Sequence, residues 1–221
     1  MAGRGVAPAV TGVARSLSFR EAQVVVVASP HGAATGVYAA PCGDLDAFGP
    51  RGIDAAAATD PSFVHALAER WGFPVLDAPA DHGIVVPLRL LGTGSTPVVA
   101  VTFEEGLGTG EAVAEAESLA AALTGASETI AFVASANTSA GLTERAPLPS
   151  LPGAAAADDA LLDALSTDPR LVPACLPALA RAGSCAAGPL AALAIVLGTR
   201  PCDVLAYEHP AGVGYLVAVA R

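Results

Sequence analysis

The chain has 221 residues, a formal net charge of −10 and 53% hydrophobic residues, so it is long and apolar enough to bury the core of one α/β domain. All 11 basic residues are arginines scattered along the chain, which argues against binding to nucleic acid or to an anionic membrane, because both require concentrated positive charge. The lack of lysine excludes Schiff-base chemistry and a P-loop, and no apolar stretch approaches the ~20 residues that span a bilayer, so we expect a soluble protein.

The N-terminal part predicts a tail followed by a central strand. Residues 1–20 lack the apolar segment of a signal peptide and the amphipathic face of a transit peptide, so we expect a flexible tail. The run VVVVA from Val24 is typical of a strand buried on both faces of a parallel sheet. We expect this strand to end at Pro30, which cannot donate to a ladder, and to leave His31 at the sheet edge where ligands of α/β proteins bind.

The next segments place a second histidine at a helix start. A Gly/Pro-rich loop, residues 39–52, is too long for an ordinary connection and is predicted to form a pocket wall. A helix with Asp60 as its cap follows and runs through Trp71. A further helix begins near Asp81, its candidate cap, so that His82 lies near the first turn.

The remaining elements complete the predicted architecture. PVVAVTF from Pro97 is a strand, residues 111–125 form a helix, and ETIAFVAS from Glu128 is another strand. Beyond a proline-rich linker, residues 158–197 are helical but interrupted by prolines, and the C-terminal segment is predicted to form a hairpin that closes the sheet. The alternation predicts a single domain, residues 21–221, with an αβα sandwich around a mostly parallel or mixed sheet.

The histidines divide into two groups. His65 lies inside a predicted helix and is interpreted as a packing or surface residue, whereas His31, His82 and His209 lie where elements begin or end. Two imidazoles from separate loops with a carboxylate or thiolate form the minimum non-haem metal site with open positions. The similar settings SPHG and DHG favour His31 and His82 as metal ligands.

The four cysteines are widely spaced and form no CxxC pair, which favours reduced thiols in a cytoplasmic protein over disulfides or a zinc knuckle. Cys185, in AGSCAAGPL, lies at a predicted helix start, where a thiolate is favoured. A nucleophilic thiol and a buried inert thiol are both open interpretations of this residue.

Two other catalytic classes find no support. GLGTG from Gly106 lacks the GxGxxG spacing, and Glu104 and Glu105 would repel a pyrophosphate, so we expect no nucleotide cofactor. The chain contains no GxSxG motif, which argues against a serine hydrolase.

Five motifs occur in a distinctive order: SPHG at Ser29, DHGIVVPL at Asp81, VASANTSAGL at Val133, AGSCAAGPLAAL at Ala182 and YEHPAGVGYLVA at Tyr207. Over about residues 24–220 the chain resembles the catalytic B subunit of class III extradiol ring-cleavage dioxygenases, the LigB-like superfamily that also contains the Memo proteins. The resemblance implies an αβα sandwich and an Fe(II) site that holds a catechol-type substrate and oxygen. His31 and His82 match the two histidine ligands.

The chain departs from this family at two positions. The third ligand is normally a glutamate, and its position is occupied by Ser184, a poor substitute for an anionic ligand. The acid/base histidine belongs to a pattern that here reads ANTSA, with Asn137 at the aspartate and Ala140 at the histidine. Because alanine cannot transfer a proton, the sequence names no catalytic residue.

Two alternatives would supply the missing ligand. In the Memo branch the third ligand is a cysteine, and Cys185 lies beside the position of the missing glutamate, which would suit iron, zinc or copper. Alternatively, Glu208 or His209 fills the vacancy. The carboxylate that dioxygenase activity needs would come from Glu208, Asp81 or Asp44.

Two classes of function therefore follow. One is a divergent Fe(II) oxidoreductase acting on a catechol-type aromatic diol, and the other is a non-catalytic protein that kept the fold to bind a ligand or a partner. The expected substrate pocket contains Asn137, Ser184, Glu208 and His209. The expected partner is a small aromatic molecule, with self-association an open alternative, and neither nucleic acid nor membrane.

Overall fold

The structure is a computed structural model that describes residues 21–48, 51–91, 93–144, 146 and 148–220. The predicted tail, residues 1–20, lies outside the described residues. In chain order the elements are β1 (Val24–Gly32), β2 (Gly36–Tyr38), β3 (Cys42–Asp44), β4 (Asp54–Ala56), α1 (Pro61–Trp71), β5 (Val75–Leu76), α2 (His82–Leu91), β6 (Val98–Glu104), α3 (Thr109–Thr124), β7 (Ile130–Ala134), α4 (Ala154–Thr167), α5 (Val172–Arg181), α6 (Ala187–Leu197), β8 (Cys202–Glu208) and β9 (Tyr215–Ala220).

A five-stranded sheet in the order β5-β2-β6-β1-β7 forms the middle layer. β1 pairs in parallel with β6 and β7, whereas β2 runs antiparallel to β6 and parallel to β5. The sheet is therefore mixed and mostly parallel around β1. Short β3, within the loop predicted to be a pocket wall, pairs with β4, which directly follows that loop.

Two apolar cores lie on opposite faces of this sheet. Val24, Val26 and Ala28 of β1 pack into the larger core with α1, α3, α4, α5 and α6. Val25 and Val27 pack into the smaller core with side chains of α2. Because both faces of β1 are covered, the strand is apolar at every position from Val24 to Ala28 rather than at alternate ones. The predicted αβα sandwich is confirmed.

Local signals account for the ends of α1. The carboxylate of Asp60 accepts hydrogen bonds from the backbone N–H groups of Ser62 and Phe63, and Pro61 occupies the first turn. Gly72 ends the helix with φ of 82°, a left-handed conformation that glycine adopts without a steric penalty. The predicted cap and the predicted end at Trp71 are confirmed.

The expected end of the first strand at Pro30 is wrong, because β1 continues to Gly32. Its register against β6 shifts between Ser29 and Gly32, so the ladder is irregular where Pro30 has no N–H to donate. His31 nevertheless lies at the carboxyl end of β1, as expected.

The C-terminal hairpin is present but does not close the sheet. β8 and β9 pair antiparallel and form a separate two-stranded sheet among the described residues. Along β9, Leu216 and Ala218 pack on the larger core while Val217 and Val219 pack on the smaller one. β9 thus follows the plane of the central sheet without joining its ladder. None of the described helices is long and apolar enough to cross a membrane.

Candidate functional site

The two histidines of the SPHG and DHG motifs are in contact. His31 is at the carboxyl end of β1 and His82 is the first residue of α2. Their ring centroids are 4.2 Å apart and the ring planes are tilted by 32°. The fold therefore brings together two imidazoles that the sequence separates by a long loop and a helix.

A thiol joins this pair from the turn between α5 and α6. Sγ of Cys185 lies 3.5 Å from Nε2 of His31 and also contacts Oδ1 of Asn137, which follows β7. Burial raises the pKa of Cys185 above the usual range, so without a metal the protonated thiol donates to the Asn137 amide oxygen. The structure thus brings Cys185, one of the alternatives for the third ligand, next to His31, which is itself in ring contact with His82.

Asp81 fixes the start of α2 beside these residues. Its Oδ1 atom accepts from Oγ of Ser29 at 2.5 Å and from the backbone N–H of Gly83 at 2.8 Å. Its Oδ2 atom accepts from the hydroxyls of Tyr38 at 3.0 Å and Thr102 at 3.1 Å. Since both oxygens are engaged, this carboxylate positions His82 and is not a free third ligand. Burial together with the Asp81 charge raises the pKa of Tyr38 to about 12, which keeps this hydroxyl a donor.

Burial determines the protonation of His82, and a carboxylate lies beside the ring of His31. Burial and the proximity of His31 lower the pKa of His82, so its ring is neutral at pH 7. Oε1 of Glu105 lies 3.8 Å from Nδ1 of His31, and the Glu105 side chain is 75% exposed. A carboxylate beside the second ring nitrogen is the arrangement that orients metal-binding histidines in other proteins.

Ser184 and Ala140, which stand where the chain departs from the resembled family, both make hydrogen bonds with the backbone. Ser184 Oγ donates to the carbonyl oxygen of Asn137 at 3.0 Å and accepts from the N–H of Ala186 at 3.1 Å. This hydroxyl therefore shapes the turn that carries Cys185. Ala140 donates its backbone N–H to the carbonyl of Ala182 and offers no side-chain proton donor.

Glu208, His209 and Asp44 are the other residues that the sequence analysis named for the site. Glu208 ends β8, and the ring of His209 lies 6.1 Å from the ring of Tyr207. Their place in a substrate pocket stays a prediction. Asp44, the remaining candidate carboxylate, belongs to β3 and is exposed, and its Oδ1 atom accepts from the backbone N–H of Asp46.

Sequence reasoning missed a buried carboxylate, Asp158 in α4. It is 1% exposed and accepts hydrogen bonds from the hydroxyls of Thr138, Ser139 and Tyr207. Burial and the Asp158 carboxylate raise the pKa of Tyr207. Asp158 therefore ties the loop that carries Asn137 to the hairpin. Its position between the core residues Ala154 and Leu161 at helical spacing was the signal that could have revealed it.

Two imidazoles and a thiol suit a thiophilic transition metal better than a metal ion that prefers carboxylate ligands. No three His, Cys, Asp or Glu side chains within the described ranges form a preassembled metal-binding group. The 3.5 Å between Cys185 Sγ and His31 Nε2 nevertheless matches the ~3.6 Å that bonds of about 2.3 and 2.0–2.1 Å subtend at a tetrahedral zinc. His82 lies beside this pair, in ring contact with His31.

Comparison with known proteins gives evidence about the fold. No family model matches the chain, and no curated protein matches it. The structure is similar to the crystal structure of uncharacterized protein JW3007 from Escherichia coli K12, with a TM-score of 0.65 and 18% sequence identity. The match covers 99% of this chain and 93% of the other. The two proteins share a fold. At this identity the likeness carries no information about activity.

Proposed function

We propose that the chain is a divergent LigB-like protein, related to class III extradiol dioxygenases, that binds a divalent transition metal through His31, His82 and Cys185. The observation that carries this proposal is the contact of these three side chains, with Cys185 Sγ 3.5 Å from His31 Nε2. Two imidazoles and a thiolate favour zinc, copper or iron over magnesium or calcium. The free thiols also suit a cytoplasmic protein.

The expected substrate is a small aromatic diol of the catechol type. A bound iron or copper ion supplies Lewis-acid and redox chemistry toward such a chelating ligand. The chain itself contributes orientation: Asp81 holds the first turn of α2 and with it His82, and Glu105 faces the second nitrogen of His31. Asn137 holds the Cys185 thiol in place.

A second candidate function is a non-catalytic protein that keeps this metal site and binds a ligand there without converting it. The observation that favours it is Ala140, which stands where the resembled enzymes have their acid/base histidine. Loss of a general acid or base typically lowers a rate by ~10²- to 10⁴-fold. The two candidates share the metal site and differ in whether oxygen is consumed.

Metal content tests the shared part of the proposal. Protein purified without chelators or a histidine tag is loaded anaerobically with Fe(II), and its metals are quantified by inductively coupled plasma mass spectrometry. We expect about one metal ion per chain in the wild type and in His65→Ala, an exposed histidine on α1, and loss of the metal in the His31→Ala, His82→Ala double variant. A wild type that stays free of metal after loading contradicts both candidates.

Oxygen uptake separates the two candidates. Metal-loaded protein is mixed with catechol in an oxygen-electrode cell, and binding of catechol is followed by its absorption spectrum. Oxygen uptake above that of the double variant supports a dioxygenase. Catechol binding without oxygen uptake supports the non-catalytic candidate.

A further inference from the structure

A cavity of about 430 Å³ separates β7 from β9. Its size falls within the ~300–1,000 Å³ range of small-molecule pockets. Its walls are apolar side chains of β7, β9 and α6, among them Phe132, Val217, Leu190 and Leu193. The exposed residues Val86, Leu90 and Tyr215 also line it, so an apolar surface leads to its interior.

The cavity arises because two strands are joined at one end and diverge. The N–H of Thr138 donates to the carbonyl of Gly214, and the N–H of Gly214 donates to the carbonyl of Ser139. Beyond this point β7 pairs with β1 and β9 pairs with β8, and within the described residues no ladder joins β7 to β9. The cavity is therefore a slot in the plane of the sheet that reaches both apolar cores.

The two ends of the slot differ in chemistry. Asn137 and Thr138 lie at the end where the strands are joined. Arg200 lies at the other end, because it precedes Cys202, which pairs with Ala220 at the far end of β9. One guanidinium N–H of Arg200 donates to the carbonyl of Val196, which leaves further donors for a ligand.

The charge of the lining is unusual for this protein. The chain carries a net charge of −10, yet none of the described residues that line the cavity is acidic and Arg200 is its cation. An apolar slot with a guanidinium at one end is complementary to an apolar molecule with a carboxylate, which arginine binds through two parallel hydrogen bonds.

We propose that this slot binds an apolar carboxylic acid, with its carboxylate on Arg200 and its hydrocarbon body between β7 and β9. The body points toward Asn137, whose Oδ1 atom contacts Cys185. Asn137 lines the end of the slot opposite Arg200 and is also the residue that holds the thiol of the candidate metal centre. Binding at this slot does not require the metal, so it stands independently of the proposed function.

Matched ligands and variants test this inference on metal-free protein by isothermal titration calorimetry. Octanoate and 1-octanol serve as probes because they share a chain length and differ in charge. We expect one octanoate per chain, and Arg200→Gln weakens octanoate about tenfold while leaving 1-octanol unchanged. Arg181→Gln, an exposed arginine at the end of α5, leaves both affinities unchanged.

Filling the slot supplies the second arm of the test. Ala218→Phe on β9 and Ala134→Leu on β7 each add bulk to the lining, and we expect both probes to lose binding in whichever of these variants retains the wild-type circular dichroism. Absence of saturable octanoate binding to the wild type overturns the proposal. Octanoate affinity that is unchanged in Arg200→Gln also overturns it, as does binding of either probe that survives in a folded variant with a filled slot. In hydrogen exchange, protection of those β7 and β9 amides that point into the slot would show that the two strands pair directly. That result would overturn the proposal as well.

Discussion

Sγ of Cys185 lies 3.5 Å from Nε2 of His31, although 154 residues separate them in the chain. His31 lies near the carboxyl end of the central strand and Cys185 lies in the turn before α6, so the contact forms only when α6 packs on the sheet. A thiol and an imidazole at this distance can share a metal ion. This relationship distinguishes the site from one built on two histidines and a carboxylate.

Replacement of Cys185 by serine tests the thiol as a ligand. We expect Cys185→Ser to weaken metal binding by more than about 10- to 100-fold, the range that loss of a supporting group already costs. In cobalt-loaded wild type we expect sulfur-to-cobalt charge-transfer absorption, which Cys185→Ser removes. Cys175→Ser, which alters a half-buried thiol on α5, keeps the absorption. An unchanged cobalt spectrum in Cys185→Ser would exclude the thiol as a ligand.

Asp81 is expected to be a stabilising residue as well as a positioning one. Asp81→Asn replaces a carboxylate that accepts four hydrogen bonds, two of them from Tyr38 and Thr102. We expect the free energy of unfolding in urea to fall by about 2 to 4 kcal/mol, because the new amide presents donors to donors. Asp77→Asn, at an exposed position, changes it by less than about 0.5 kcal/mol. Equal effects of the two substitutions would contradict this role.

Asp158 is expected to hold the hairpin. Asp158→Asn disturbs the hydrogen bonds from Ser139 and Tyr207, and we expect faster hydrogen exchange of the β8 and β9 amides and a loss of about 2 to 4 kcal/mol in unfolding free energy. The neighbouring exposed residue provides the control, Asp159→Asn, which leaves hairpin exchange as in the wild type. If hairpin exchange in Asp158→Asn matches the control, the carboxylate does not anchor the hairpin.

Replacement of two helical glycines by alanine is expected to change stability in opposite directions. A Cβ atom at Gly83 would collide with Oγ of Ser29, which is buried, so Gly83→Ala is expected to cost about 1 to 3 kcal/mol of stability. A Cβ at Gly110 in α3 meets open space, and Gly110→Ala is expected to stabilise by up to about 1 kcal/mol. Thermal unfolding followed by circular dichroism gives both values. A neutral Gly83→Ala would show that α2 can shift away from β1.

Stability is expected to fall at high pH. The pKa of Tyr38 is raised to about 12, so between about pH 10 and 12 the folded state holds a proton that the unfolded state has lost. The unfolding free energy therefore decreases as the pH rises through this window, and the raised pKa of Tyr207 adds to the decrease. Urea unfolding at several pH values should give a shallower decrease for Tyr38→Phe. Tyr215→Phe, at an exposed position, should retain the wild-type decrease.

The ladder irregularity at Pro30 shows one limit of sequence reasoning. Pro30 correctly marked the place where the pairing with β6 becomes irregular. The strand nevertheless continues, because Gly32 pairs again with Glu104 of β6. A similar limit applies to the hairpin. The pairing of β8 with β9 was readable from their composition and glycine turn, whereas their separation from β7 depends on how the whole hairpin sits on two cores.

The candidate site shows the same division. SPHG and DHG pointed to His31 and His82, because both motifs lie at element ends where side chains can reach a common edge. The engagement of Asp81 by Ser29, Tyr38 and Thr102 depends on three strands meeting one helix, and no local pattern encodes it.

The sequence by itself determined the αβα class, the doubly buried central strand and the two histidines, because apolar periodicity and turn residues act over short stretches of chain. Packing between the layers, which no local pattern predicts, brings Cys185 next to His31, buries Asp158 among hydroxyls and leaves a slot between β7 and β9. These features depend on distances between side chains far apart in sequence, which are set by packing of the layers and not by any local propensity.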